Sequence, residues 1–382
     1  FRAWLPTAAR FLRSVNFGEN QPFADAEMVF PTISILEKTP AAAPAASTFR
    51  AYFMRGAIPD SIADAVVADG IDCDASALTR PEWRFQPAAV TALFDRIMTV
   101  GRPLDEVVEG RIYYGVKTGL NEAFIIDQAT RDRLVAADPA CAPLLRKMLR
   151  GEDLRPWYQE DEGNWLIVMP SGFTRTSSEL TEEAPAWAWL SAHYPALSAH
   201  LAQFEKAARK RTDQGEFWWE LRSCDYYPAF DQPKIFWPDI AKLPRFSYNE
   251  DGAYVNDKGF IISANAGKNW LLPLLQNRIQ WFCISQLCVP LRLRGGLWQS
   301  QCKKQFIERL RIPDMTDDDR AALTSAALAA TAVARERYAL HGTVRHRLLA
   351  DFGSPDRTLN NRLTEWWTLD FAAFRAELRK AL

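Results

Sequence analysis

Histidine is scarce. There are four in 382 residues, at 193, 200, 341 and 346, and they form no metal-ligand pattern. His341 and His346 lie five apart in a charged helical pattern and read as solvated helix surface. The six cysteines, at 73, 141, 224, 283, 288 and 302, include no pair at CxxC spacing, which argues against a zinc knuckle. Scattered thiols suit a reducing compartment, and a cytoplasmic protein is expected. No signal peptide is expected. The most apolar stretch, 270–291, carries Asn277, Arg278 and Gln280, so it reads as a buried helix and not as a membrane span. An excess of either charge is also missing. Lys and Arg number 46 against 47 Asp and Glu, a net −1, so any electrostatic footprint must be local. Catalytic signatures are absent: no GxxxxGK[ST] or GxGxxG phosphate loop, no GxSxG elbow and no HExxH. Pro238-Asp239 with Lys242 lacks the second carboxylate that a metal-dependent nuclease needs, and Glu182-Glu183 and Asp317–Asp319 begin helices, where capping explains them.

What is present is apolar and aromatic: 48% hydrophobic and 12% aromatic residues, enough for real cores. The length suggests two or three domains. The chain opens on Phe in mid-pattern and is expected to be a piece of a longer protein. Residues 12–17 and 29–37 read as strands, and an Ala/Pro-rich tract at 38–48 leads to another short strand, STFRAYFMR. The acidic stretch 56–85 reads as a connector. A helix is expected at 87–99 with Val90, Leu93, Phe94 and Ile97 on one face.

Further on, a helix ending in LLRKMLRGEDLRPW is expected, with Gly151 as its stop, and NWLIV at 164–168 reads as a strand. Leu190, Leu197, Leu201 and Phe204 predict one amphipathic helix over 184–211. Strands are expected at 233–240 and 259–263, a hairpin turning at Asp251-Gly252 between them, a buried helix at 268–289, and strand and loop over 291–313. After Pro313 a long helix begins. Thr316 can cap it, Asp317–Asp319 suit its dipole, and its pattern runs to Gly353, about 50 Å at the usual rise.

Basic and aromatic groupings are the chemistry that remains. Residues 203–222 combine Lys206, Arg209, Lys210, Arg211 and Arg222 with Trp218 and Trp219; residues 291–311 hold Arg292, Arg294, Lys303, Lys304, Arg309 and Arg311 against Glu308. Such cations can grip phosphates, and Arg, Asn and Gln can read base edges. A solvated helix end or a structural ion-pair layer would explain each cluster as well. A third candidate is RIYYGVKTGLNEAFIID at 111–127. Two apolar runs flank a turn holding Lys117, Thr118 and Asn121, with Gly115 and Gly119 letting the backbone approach a partner. A strand-connecting turn with a local Asn cap is the alternative.

The stretches GRIYYGVKTGLNEAFIID (110–127), LLRKMLRGEDLRPWY (144–158), FWWELRSCDYY (217–227), PKIFWPDI (233–240) and ERLRIP (308–313), in this order, resemble the C-terminal region of adenine-specific DNA methyltransferases of restriction–modification systems. The resemblance is to the type IIG enzymes that fuse cleavage and methylation, with their TaqI-like specificity domain. VNFGENQPFADAEMVFPTISILEK is similar to the last strands of the methyltransferase fold, and LNNRLTEWWTLDFAAFRAELRKAL to the tail of such chains. The break at Ile312-Pro313 before a long helix also resembles specificity subunits, whose helices separate recognition domains.

The resemblance implies a parent enzyme that transfers a methyl group from S-adenosylmethionine to adenine N6. The glycine-rich cofactor loop and the Asn/Asp-Pro-Pro-aromatic motif of that chemistry are both absent here, so no catalytic residue and no cofactor or metal is assigned to this stretch. The expected fold class is α+β. A mixed or antiparallel-sheet target-recognition domain at 86–313 would be preceded by the methyltransferase's C-terminal strands at 1–57, a remnant of an α/β sheet, and a connector at 58–85. A long helix and helical arm at 314–382 would follow. The expected partners are double-stranded DNA, through Lys117, Thr118, Asn121, Arg209, Lys210, Arg211, Lys303 and Lys304, and the methyltransferase domain of the same chain. A protein-interaction module that docks subunits through its aromatics and long helix is the alternative.

Overall fold

The computed structural model describes residues 4–18, 20, 22–23, 31–38, 48–54, 56–80, 83–263, 268–294, 297–352 and 359–381. The start of the strand expected at 29–37, most of the Ala/Pro-rich tract and the helix stop expected at Gly353 lie outside these residues. The fold class is α+β, in several small sheets with a long carboxy-terminal helix.

An amino-terminal sheet has the order 32–38, 9–16, 48–53, 71–74; strand 9–16 runs antiparallel to 32–38 and parallel to 48–53. The stretch expected as a connector supplies its last strand, Ile71–Asp74, after a helix, Ile62–Asp69, capped by Ser61. Cys73 is fully buried against Phe11 and Phe49, so this segment closes the small core of the first unit.

The rest of the chain is organised by a central sheet of order 247–249, 234–238, 259–263, 112–114. Every residue of Lys234–Pro238 and Gly259–Ser263 is buried, the near-continuous apolar run of strands covered on both faces. The period of two divides those faces between two cores. Phe236 and Ile261 enter one, with Leu166, Leu190, Trp219 and Phe230. Ile235, Trp237, Phe260, Ile262 and Ile112 enter the other, with Leu104, Leu272, Ile284 and Ile307. The long helix, Asp317–Phe352, spans about 54 Å at the usual rise. Thr316 Oγ1 accepts from Asp319 N at 3.1 Å while Asp319 Oδ2 accepts from Thr316 N at 3.0 Å, a reciprocal capping box.

Several expected elements differ. Leu145–Leu149 is a strand, not a helix end, because Leu145, Met148 and Leu149 pack between strands 164–167 and 254–255. The spacing of those side chains is itself helical, and the flanking strands decide against it. The helix expected over 184–211 is three pieces, Glu183–His193, Pro195–Ala202 and Glu205–Ala208, because Pro195 lacks the N–H that would continue the first and instead opens the second. The helix expected over 268–289 breaks at Asn277, whose side chain caps Arg278–Leu287. Asp251-Gly252 does turn, with Gly252 at φ 68°, yet no hairpin forms. Ser247–Asn249 joins the central sheet, whereas Tyr254–Val255 pairs parallel to 148–149 and enters the other core. Strands Ile112–Tyr114 and Ile125–Asp127 likewise lie in different sheets, with a helical turn, Asn121–Phe124, between them. Leu93 is half exposed, and the inward residues of helix Ala88–Met98, Val90, Phe94 and Ile97, are only partly buried.

Lys234 is fully buried within the central sheet and donates from Nζ to the carbonyls of Phe230 (2.5 Å) and Gln232 (3.0 Å). Burial pushes its ammonium down to about 8, against the opposing pull of Asp231 and Asp251. Between that value and the ordinary lysine value of 10.5 the unfolded chain binds the proton that the native chain has released. The burial penalty is therefore complete below pH 8 and fades as pH rises toward 10.5. Lys234→Met is expected to gain stability over the parent near neutral pH, with the gain shrinking across that window. Paired urea titrations at pH 7, 9 and 10.5 check this, and a pH-independent difference would contradict it.

Candidate nucleic-acid interface

The turn after strand 112–114 is built by close backbone approach. Gly115 N donates to Gly259 O at 2.9 Å and Val116 N to Val255 O at 2.7 Å. A Cβ on Gly115 would fall 1.9 Å from the Asn256 carbonyl oxygen, so only glycine fits there. Gly119 has φ 70°, and a Cβ on it would meet Asp213 Cβ at 3.0 Å.

The polar side chains of the turn divide into inner and outer groups. Thr118 is buried; its hydroxyl donates to Asn121 Oδ1 at 2.6 Å and accepts from Leu120 N at 3.2 Å. Its carbonyl accepts from the Arg211 guanidinium at 2.6 Å. Asn121 is exposed, and Lys117 is half exposed with its Nζ 2.7 Å from Asp213 Oδ2. Asp213 also lies 4.0 Å from Arg222, so two cations share one carboxylate at the tip.

Arg211 is a positioning residue. It is 7% exposed, and besides Thr118 O it donates to Trp218 O at 2.9 Å and to Glu220 O, with its guanidinium 4.3 Å from the Phe124 ring centroid. Burial pushes it down to about 10. Arg211 was expected among the DNA contacts; the structure places its two terminal nitrogens on carbonyls that bind the turn to loop 211–221, while its buried Nε has no hydrogen-bond partner. His200 supports the same turn from below through Nε2 and Ala123 O at 3.0 Å, and burial lowers its pKa.

The other expected cations differ in freedom. Arg209 is exposed but paired with both Glu183 and Glu205, and it lies 5.5 Å from the Trp218 ring centroid; those carboxylates hold its pKa above the ordinary value. Lys210 is exposed and has no ion-pair partner among the described residues. Lys303 and Lys304 are half-buried, also without an acidic partner among the described residues, at the start of a helical turn, Lys304–Ile307. That turn packs on strand 112–114, which leads into the Lys117 turn. The structure thus joins Lys117, Thr118, Asn121 and Arg211 in one bonded unit and sets Lys303 and Lys304 beside its base.

Two parts of this arrangement were not expected. Asp213 counterbalances Lys117. Glu220, fully buried, gathers the backbone N–H groups of Gly172 and Thr174 at 2.9 Å each, Glu216 at 3.1 Å and Phe217 at 3.4 Å. The only signal for Glu220 in the sequence is a lone acid inside the apolar run FWWEL. No group of acidic, His and Cys side chains among the described residues could hold a metal ion, and no described helix is long and apolar enough to cross a membrane.

A domain of unknown function, DUF8810, matches residues 316–382, the long helix and the tail. No curated protein matches the chain. Among solved structures the chain is similar to the type IIL restriction-modification enzyme MmeI, determined in complex with DNA, with a TM-score of 0.50 at 10% identity over 98% of this chain and 42% of that one. The chain therefore spans less than half the length of that enzyme, and at this identity the likeness is one of fold: nearly the whole chain, from the amino-terminal sheet to the tail, has the architecture of part of a restriction-modification enzyme.

Proposed function

We propose that the chain is the DNA target-recognition part of a site-specific adenine-N6 DNA methyltransferase from a restriction–modification or phage-defence system, of the type IIG kind with a TaqI-like specificity domain. The observation that carries this reading is the fold shared, over 98% of the chain, with a restriction-modification enzyme determined on DNA. The order of the methyltransferase-like stretches along the sequence supports it independently. S-adenosylmethionine and the transfer step belong to the parent enzyme; the residues here grip and read the duplex. Among the candidate cations, Lys210, Lys303 and Lys304 have no acidic partner among the described residues and can meet phosphates, and the Lys117–Asn121 tip offers a charge and an amide.

Binding of this chain to duplex DNA is expected to weaken steeply with salt. Lys303→Ala with Lys304→Ala should weaken binding to all sequences alike and flatten the slope of log K against log salt by about one to two units. Fluorescence anisotropy across a salt series measures both, and an unchanged slope would remove these lysines from the interface.

A second reading, a module that docks protein subunits, is favoured by the exposed Leu328, Val333 and Leu340 on the long helix. Salt-insensitive binding to DNA, or none, would favour it.

A further inference from the structure

Strand Val289–Arg294 pairs antiparallel with Leu297–Gln301, and the pairing begins with Val289 opposite Gln301. One step outward the same register sets Cys288 opposite Cys302. Cys288 ends helix Arg278–Leu287, and Cys302 immediately precedes Lys303, which opens the helical turn Lys304–Ile307. Both cysteines are free thiols.

The backbone decides how closely the two approach. Opposed residues of an antiparallel pair alternate between those that exchange N–H···O bonds and those that do not, and the second kind stands closer, about 4.5 Å between Cα atoms. Cys302 N donates to Asp239 O at 2.7 Å, and Cys302 O accepts from Trp237 Nε1 at 2.7 Å, so both groups turn toward segment 237–239 and away from residue 288. Cys288 N donates to Ile284 O at 2.8 Å, and Cys288 O accepts from Arg84 at 2.7 Å. All four backbone groups are committed elsewhere, so the two cysteines form a pair of the close, non-hydrogen-bonded kind. That separation lies within the range of about 4.4–6.8 Å that a disulfide spans. Both side chains enter the same core, Cys288 at 0% and Cys302 at 3% exposure. The Cys288 thiol acts directly on that of Cys302 and, with burial, holds it well above the ordinary thiol value.

We infer that Cys288 and Cys302 are a redox-active pair: thiols at rest, which close into a disulfide across the base of the hairpin when a low-molecular-weight disulfide such as oxidised glutathione reaches them. A reducing compartment keeps such a pair open until the oxidant accumulates. Access comes through the hairpin itself, where Val289, Leu297 and Trp298 are exposed and fraying uncovers the sulfurs. One cysteine thiolate attacks a glutathione sulfur, forming a mixed disulfide and expelling one glutathione thiolate. The second cysteine gives its proton to solvent and attacks the protein sulfur of that mixed disulfide, expelling the other. Two cysteines lose two electrons and two protons, and one glutathione disulfide becomes two thiols. The bond would tie the end of helix Arg278–Leu287 to the turn that carries Lys303 and Lys304.

The test treats the folded chain with excess oxidised glutathione at pH 8, quenches it in acid, then denatures it, alkylates the remaining thiols and digests it with trypsin without reduction. Peptide 279–292, which holds Cys283 and Cys288, should be found joined to peptide 295–303, which holds Cys302, in chains that run as monomers on a non-reducing gel. Dithiothreitol should separate them and restore all six thiols. The reaction should speed up as pH rises, because the thiolate is the attacking form. Cys288→Ala should abolish the link, whereas Cys283→Ala should leave it. The unsubstituted chain gives a second reading that needs no variant: fragmentation of the joined peptides assigns the bond to Cys283 or to Cys288. Absence of the joined peptides, a bond from Cys283 or between two chains, or glutathione that stays on Cys302 without being displaced overturns the inference.

Discussion

Glu220→Ala is expected to lower the unfolding free energy by about 3–5 kcal/mol, the scale set by breaking a buried charged hydrogen-bond network. The carboxylate is fully buried and accepts from four backbone N–H groups, those of Gly172, Thr174, Glu216 and Phe217. Alanine would leave those donors facing apolar surroundings, each at a cost of roughly 1–3 kcal/mol before relaxation or water entry reduces it. Gly215 packs against the same side chain: a Cβ there would meet Glu220 Cβ at 2.6 Å, so the loop cannot rearrange freely around a smaller residue. Glu220→Gln should fall between the two, since its NH₂ can accept nothing and would confront amide donors. Urea unfolding followed by tryptophan fluorescence reads the change, because Trp218 and Trp219 sit on this loop. A loss below about 1 kcal/mol would mean that the four amides find other partners.

The consequence reaches the candidate interface through one further link. Glu220 O and Trp218 O hold Arg211, and Arg211 holds Thr118 O. Loosening loop 211–221 therefore frees the Lys117 turn as well as Asp213, its counter-ion. Local order at the tip is secured by buried groups from a segment almost 100 residues away in sequence, which is why its geometry does not follow from the turn's own residues.

That separation explains what was legible in the sequence. Strands 234–238 and 259–263 declare themselves by continuous apolar runs, and the long helix by its capping residues and its period. These are local signals. The run LRKML reads as helix because Leu145, Met148 and Leu149 satisfy a helical spacing, and only the flanking strands 164–167 and 254–255 decide for a strand. At Asp251-Gly252 the local chemistry of a turn is correct, yet Tyr254 and Val255 are drawn into a different core from Ser247–Asn249, so no hairpin forms. Among the candidate residues, charge alone could not separate Arg211 from Lys210. Adjacent in sequence, one is 7% exposed and bonded to three carbonyls, the other exposed and unpaired among the described residues. The polar face of the amino-terminal sheet is written in alternation, with Ser14 and Asn16 in one strand and Thr32 and Ser34 in the next, but a period of two says which residues share a face and not what lies opposite.

Lys117→Ala and Asn121→Ala are expected to act differently on DNA binding, and the difference follows from their surroundings. Asn121 is exposed; its Oδ1 is held by the Thr118 hydroxyl at 2.6 Å, which fixes the amide plane and leaves the NH₂ to solvent. A donor pre-oriented in this way loses little freedom on meeting a base edge. Its removal should cost about 1–3 kcal/mol of discrimination at one base pair, the worth of a good base contact, with little change in binding to unrelated sequence. Lys117 already faces Asp213 at 2.7 Å, so a phosphate must compete with that carboxylate. Lys117→Ala should weaken binding to every sequence modestly and reduce the salt slope by less than about one unit. Lys117→Ala should cost no more than about 1 kcal/mol of stability, because its pair is half exposed and such pairs contribute little. Selection of bound duplexes from a random-sequence pool, followed by sequencing, reads the discrimination; anisotropy in a salt series reads the slope; urea unfolding controls for folding. If Asn121→Ala selects the same sequences as the parent with the same stringency, the turn is scaffold, and base reading must be sought elsewhere on the chain.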